Sequence, residues 1–334
     1  MFAKSASPEM MSLLRKCGDP DHNIAMAAQV QVAKALELPL REEIWNGDII
    51  GPTGIFEVIR FEPGQQTEFP KSWFTPGTVN DHIAVVCPNV GEIPYRMVLG
   101  DYVTVPTYMV MASINTPLKY IRDARWDVVS SLKTALANMY TAKVNDDGWH
   151  TLLAAGTTRN VVVQDSNAAA GLFTKRLIAL MKTSMQRNGG GNSASQKKAV
   201  LTDVFGSLEM IEDMRSWDLT QIDDFTRRQI YMGADTDTVE IFNVKVHSLN
   251  EFGAAQKYEL YYENTLGGTL SNGKLEVLIG LDLKNRDSFV MPMREDFKTF
   301  VDPVLHRQLQ WGIYGFADFG VSSLDNRRTI LGQF

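Results

Sequence analysis

The chain is poor in the residues on which most catalytic and secreted proteins depend. It has two cysteines, Cys17 and Cys87, in 334 residues. They lie far apart in sequence, so neither a disulfide framework nor a cysteine-based metal site is implied. The five histidines, His22, His82, His150, His247 and His306, are scattered. No two stand four apart, and no HExxH motif is present. No run approaches the roughly eighteen apolar residues of a membrane-spanning helix. The opening MFAKSASPEMMSLLRKCGDP lacks the apolar core of a signal peptide, which points to synthesis in a reducing cytoplasm. Basic residues are also in the minority: 33 Lys and Arg face 39 Asp and Glu, a net charge of −6. That balance argues against a protein whose main surface tracks nucleic acid.

Motifs that carry chemistry are missing too. Asp235 and Asp237 in GADTDTVE look like a metal pair, but no Gly or Glu falls where a calcium loop needs one. AAGTTRN has no nucleophile elbow. His150 in GWHTLLAAG has no Ser or Cys partner in view. The adjacent acids Glu42-Glu43, Asp146-Asp147 and Asp223-Asp224 read as solvated turns. RNGGGNSASQKK, from Arg187 to Lys198, suggests a phosphate loop through Gly189, Gly190 and Gly191. A phosphate loop follows a strand and opens a helix, whereas here a helical stripe comes first and a strand-like run follows. Lys197 and Lys198 are not followed by Ser or Thr. The glycines therefore read as a flexible connector. The expectation is no catalytic residue, no bound cofactor and no metal.

What the chain does have is apolar residues, 44% of the total, and length enough for two domains of ~150 residues each. Ser7-Pro8-Glu9 starts a helix that stops at Gly18-Asp19-Pro20. A second helix, roughly Asn23 to Leu38, is expected to end at Pro39. Both read as an arm docked on something. GIFEVIRFE, DHIAVVCP and DYVTVPTYMVMASI are strand-like, with prolines marking turns between them. Residues 62–100 fit a long two-stranded excursion, which is barely stable in water without a partner. Thr116-Pro117 opens the strongest helix, with Ile121, Ala124, Val128, Leu132, Ala135 and Met139 at helical spacing. It is expected to run to about Val144, with a break near Asp123 and Asp127, and to turn Leu132, Leu136 and Met139 to the core. Alternating elements follow: helices at 168–186, 206–217 and 223–230, and strands at 199–203, 238–247, 257–263 and 274–283. Closing strands are expected around 304–323 and 327–334.

Three stretches carry a resemblance. ALELPLREEIWNGDIIGPTGIFEV (35–58) looks like a junction between an arm and an extended loop. YVTVPTYMVMASINTPLKYIRDARWDVVSSLKTALANMYTAKVNDDGWHTLLAAG (102–156) looks like a strand and long helix with a small-residue exit at Ala154-Ala155-Gly156. SFVMPMREDFKTFVDPVLHRQLQWGIYGFADFGVSSLDNRRTILGQF (288–334) looks like a set of closing strands. In this order the parts resemble those of tailed-bacteriophage major capsid proteins.

The resemblance implies an α+β chain of the Hong Kong 97-type capsid fold. Its parts would be an N-terminal arm at 1–50 and an extended β loop at 51–105. A peripheral domain would combine 106–155, holding the spine helix, with 288–334, and an axial domain would span 156–287. Such a chain is not an enzyme. It self-assembles into hexamers and pentamers of an icosahedral head, enclosing double-stranded DNA without sequence-specific binding and without a membrane. Its place would be the virion capsid, after assembly in the host bacterial cytoplasm. An encapsulin-type compartment shell of the same fold is the alternative. A cytosolic α/β enzyme stands behind both, because the arm and ribbon look unsupported in a monomer.

The resemblance also assigns residues and partners. At the loop tip, EFPKSWFTPGTVNDH, Trp73 and Phe74 would meet a neighbouring subunit, with Lys71, Asp81 and His82 at the rim. Lys71 is also the loop lysine available for the crosslink that some members form, although no motif names its acceptor. Gly189, Gly190 and Gly191 would lie in a flexible axial loop that adjusts to non-identical neighbours. Partners would be further copies of the chain and a portal. Because the chain starts at Met1 with only a short arm, a separate scaffolding protein is also expected. A decoration protein is left open.

Overall fold

The computed structural model describes residues 8–19, 21–46, 50, 54–70, 102–123, 126–188, 199–217, 238–270, 273–302, 304–305 and 308–334. Its helices are α1 (Pro8–Cys17), α2 (His22–Asn46), α3 (Leu118–Arg122), α4 (Trp126–Arg159), α5 (Lys175–Asn188), α6 (Leu208–Arg215) and α7 (Lys257–Asn264). The early strands are β1 (Glu57–Arg60), β2 (Glu68–Pro70), β3 (Tyr102–Thr104), β4 (Tyr108–Pro117), β5 (Val162–Gln164) and β6 (Asp203–Gly206). The later ones are β7 (Thr238–Ile241), β8 (Val244–Ser248), β9 (Val277–Leu281), β10 (Phe289–Val301), β11 (Gln310–Phe319), β12 (Ser322–Ser323) and β13 (Thr329–Gln333). The chain divides into two compact units. The first holds Met1–Thr67, Thr104–Gly148 and Val290–Val321, and the second Glu68–Val103, Trp149–Phe289 and Ser322–Phe334. Helix and sheet occur in both, the α+β class expected.

The first unit is built on a sheet with strand order β1-β10-β11-β4. β11 is antiparallel to both neighbours, and its register with β4 runs unbroken from Gln310↔Pro117 to Phe319↔Tyr108. One face is covered by helices. From α4, the Tyr140 hydroxyl lies 2.6 Å from Val110 O and 2.8 Å from Gly315 O. Its ring meets Phe297 edge-on at 4.4 Å. From α2, Ala33 O accepts a hydrogen bond from Thr299 Oγ1 (3.0 Å), and Arg41 donates to Phe297 O (3.2 Å). α1 and α2 bury Leu14, Cys17, Ala25, Ala28 and Val32. α2 thus docks on the sheet of its own chain, and α1 packs against α2, where Gln29 Nε2 donates to Cys17 O at 3.1 Å.

Several sequence expectations for this unit are corrected. α2 does not end at Pro39 but runs on to Asn46. An interior proline costs about 3 kcal/mol, yet the buried stripe Leu36, Leu40, Ile44 continues past it at spacing four and outweighs that cost. The break before the long helix lies between Arg122 and Trp126, as anticipated. Pro117 is the N-cap of α3 rather than its first helical residue, and Thr116 belongs to β4. The buried face of α4 carries Val129, Leu136, Tyr140 and Val144, while Leu132 is half-buried and Met139 is 49% exposed. The core stripe is therefore rotated by about one residue, ~100°.

α4 also passes through Asn145-Asp146-Asp147-Gly148, so Asp146-Asp147 is not a turn and Ala154-Ala155-Gly156 is not an exit. The glycines mark close contacts instead. A Cβ on Gly148 would lie 2.5 Å from Ile50 Cγ2, and one on Gly156 would lie 2.8 Å from Leu331 Cγ.

The second unit holds a six-stranded mixed sheet, β5-β13-β9-β6-β8-β7. All four residues of β6 are buried, as in a strand covered on both faces. On one face Val204 joins Phe173, Leu177, Met181, Met210, Met214 and Val246 in a core under α5 and α6. On the other, Phe205 meets Trp149 at 5.0 Å, and Trp149 meets Phe252 at 5.5 Å. β7 and β8 form a hairpin through Phe242 and Asn243, both left-handed at φ 54° and 58°. The strand expected at 257–263 is helix α7: Tyr258 and Tyr262, four apart, are the buried pair, a helical rather than an alternating period. The ladder expected from 199 begins at Asp203, and the helix expected from 168 begins at Lys175. The helix expected at 223–230 lies outside the described residues.

Candidate assembly surface

The helix-covered face of the first unit's sheet leaves the opposite face to solvent. Along β11, Ile313, Gly315, Ala317 and Phe319 are buried and alternate with half-buried Tyr314, Phe316 and Asp318. Register places the outward residues of three strands in rows. Phe300, Tyr314 and Ser113 form one row, Lys298, Phe316 and Met111 the next, and Glu295, Asp318 and Met109 a third. The aromatics stack as a ladder: Phe300 and Phe316 are 5.4 Å apart and 2° from parallel, and Phe300 and Tyr314 are 5.6 Å apart.

A ladder of this kind stabilises a sheet by itself. It does not account for the methionines beside it. Met109, Met111 and Met139 are 57%, 64% and 49% exposed, and Phe300 is 39% exposed. Met109 and Met111 lie on β4, the end strand of the path, whose other edge pairs with no strand among the described residues. A groove lined by Tyr108, Met109, Met111, Met139, Tyr140 and Lys143 carries the apolar surface round that edge to α4. Charges sit at the rim: Lys143 pairs with Asp147 at 2.6 Å, and Lys298 with Glu295 at 3.4 Å. Asp147 also accepts a hydrogen bond from the Tyr108 hydroxyl at 2.8 Å. Exposed methionine and aromatic side chains inside a charged rim have the composition of a protein–protein contact. The arrangement can exclude water against a partner.

Lys71, Trp73, Phe74, Asp81 and His82, and Gly189, Gly190 and Gly191, lie outside the described residues, as do His82's fellow His306 and the pair Asp235 and Asp237. Among the described histidines, His247 Nε2 is 2.9 Å from Asp203 Oδ1, and His150 stacks on Tyr261 at 3.8 Å. Among the described residues, no group of three or more His, Cys, Asp or Glu side chains is placed to hold a metal ion. No helix there is long and apolar enough to cross a membrane. The surface itself had a signal in YMVMASINTP. A strand with one solvated face should alternate apolar with polar, and Met109-Val110-Met111-Ala112 is apolar on both.

No family model matches the sequence, and no curated protein matches it. Its fold does match solved structures. A structure from Microbacterium phage Oxtober96 is similar at a TM-score of 0.53 and 12% identity, over 84% of this chain and 88% of that one. The Cyanophage Pam1 capsid is similar at 0.53 and 10% identity, over 88% and 92%. The mature capsid of bacteriophage PhiM1 is similar at 0.51 and 9% identity, over 84% and 85%. At such identities the likeness is one of fold. The chain has the fold of phage capsid proteins, the Hong Kong 97-type fold that the order of its sequence segments implied.

Proposed function

We propose that the chain is the major building block of an icosahedral phage head, assembling as hexamers and pentamers around double-stranded DNA. The observation that carries the reading is the apolar sheet face on which Met109, Met111 and Phe300 are exposed and Phe316 is half-buried. A soluble monomer gains nothing from it, and a chain that meets copies of itself does. The fold shared with phage capsids supports the same conclusion. The net charge of −6 fits a shell that surrounds DNA without tracking it. The partners in this reading are a portal and a separate scaffolding protein. The product resides in the virion, and assembly takes place in the host cytoplasm.

Within that reading, residues 1–50 are the arm, 51–105 the extended loop, 106–155 with 288–334 the peripheral domain, and 156–287 the axial domain. Lys71, Trp73, Phe74, Asp81 and His82 are the loop-tip contacts to a neighbour, and Gly189, Gly190 and Gly191 the adjustable axial loop. The test is Met111→Asp. At 64% exposure the carboxylate is solvated in the free subunit, so far-UV circular dichroism and the urea midpoint should be unchanged. In an assembled interface it is buried without a partner, which costs several kcal/mol per copy. Sedimentation should show subunits in place of particles. Normal particles from Met111→Asp would remove this face from the interface.

A further inference from the structure

The second unit holds two buried carboxylates beside a strained turn. Between β8 and α7 the chain passes through Gly253 at φ 131° and Ala255 at φ 60°. The left-handed region crowds the alanine Cβ against the next carbonyl, so the surroundings must hold Ala255 there. One carboxylate does so: Glu259 Oε2 accepts the Ala255 N–H at 2.6 Å. A second, Glu276, lies near the Ala254 N–H. Glu276 Oε2 is held in turn by the hydroxyl of Ser207, the N-cap residue of α6. Ser207, Glu259 and Glu276 are 0%, 3% and 6% exposed. The remaining oxygen of Glu259, Oε1, is buried with no hydrogen-bond partner among the described residues.

Among the described residues, the charged groups that act on this pair are acidic. Glu263 on α7 and Glu276 act on Glu259, and Glu209 and Asp213 on α6 act on Glu276. We propose that Glu259 and Glu276 form a proton-operated latch that fastens the 253–256 turn to the N-terminus of α6 and opens when Glu259 ionises. A neutral Glu259 fills its site without charge and keeps the Ala255 hydrogen bond. An ionised Glu259 carries a buried charge facing other acids, and it leaves for water. Once it leaves, Ala255 loses the bond that holds it in a left-handed conformation.

The direction with pH follows from the same contacts. Burial is the largest effect and raises the Glu259 carboxyl, the Ala255 N–H opposes it, and Glu263 and Glu276 add to the rise; the outcome is about 7. A carboxyl raised in the closed state stabilises that state fully below the ordinary glutamate range, and the stabilisation is lost as pH rises to about 7.

The test is hydrogen exchange by mass spectrometry on the full-length subunit, each rate divided by the intrinsic rate at the same pH. Between pH 5 and 7, protection of the peptide covering 250–258 should fall, by up to about tenfold per pH unit, while peptides in α5 stay level. Glu259→Gln keeps an acceptor for Ala255 and cannot ionise, so its protection should be independent of pH. Should that variant fail to fold, Glu276→Gln removes the neighbouring charge and should shrink the fall. Constant protection in the wild type, or an undiminished fall in either variant, overturns the latch.

Discussion

Gly148→Ala pits two effects against each other inside α4. Helix propensity alone favours alanine over an interior glycine by about 1 kcal/mol, so an exposed glycine here would gain stability on substitution. Packing points the other way. An ideal Cβ on Gly148 would lie 2.5, 2.7 and 2.8 Å from Cγ2, Cγ1 and Cδ1 of Ile50. Carbon atoms in contact prefer about 3.5–4.0 Å, so three atoms would have to move at once. Ile50 is 0% exposed and has no solvent to move into. Overpacking of this kind costs about 1–3 kcal/mol, and three simultaneous clashes place it near the top of that range. After the propensity gain, the net expectation is a loss of about 2 kcal/mol. The assay is urea unfolding of the isolated subunit followed by far-UV circular dichroism. Adding Ile50→Ala opens the space that the new methyl needs. The double variant should therefore lose less than the two single losses combined, by about 0.5–3 kcal/mol. A Gly148→Ala midpoint above wild type would refute the packing argument and leave propensity in charge.

Two further predictions follow from buried groups in the first unit. Tyr140→Phe keeps the edge-on contact with Phe297 but removes the hydroxyl that serves Val110 O and Gly315 O; it should cost about 1–3 kcal/mol, and an unchanged urea midpoint would count against it. Burial pushes the Cys17 thiol up to about 12, so in a Cys87→Ser background iodoacetamide at pH 8 should label Cys17 only after denaturation; rapid labelling of the folded subunit would show that the α1–α2 contact opens.

The order of elements was legible in the sequence because periodicity carries over long segments, as it did for α2, α4 and α5. Rotation and endpoints were not. Val128 and Val129 are adjacent and both apolar, as are Ala135 and Leu136, so the stripe on α4 could be drawn through either member of each pair. Only packing selects Val129, Leu136, Tyr140 and Val144. Pro39, Gly148 and Gly156 looked like stops because local propensity says so, and burial against distant residues such as Leu331 overrides it. YELYY lies in the stretch expected as a strand, but its buried tyrosines, Tyr258 and Tyr262, are four apart. The candidate assembly surface was half legible: both faces of β4 read apolar, yet its junction with Phe300 and Phe316 depends on the β10–β11–β4 register, which no local pattern reveals.

The central claim, that this chain closes into a shell by burying its exposed sheet face against other copies, is tested most directly by cryo-electron microscopy of particles from cells expressing it with the genes that flank it. The account predicts closed icosahedral particles of uniform size in which Met109, Met111, Phe300 and Phe316 lie under density from another subunit. Subunits that stay monomeric under these conditions, or shells in which that face remains open to solvent, would contradict it.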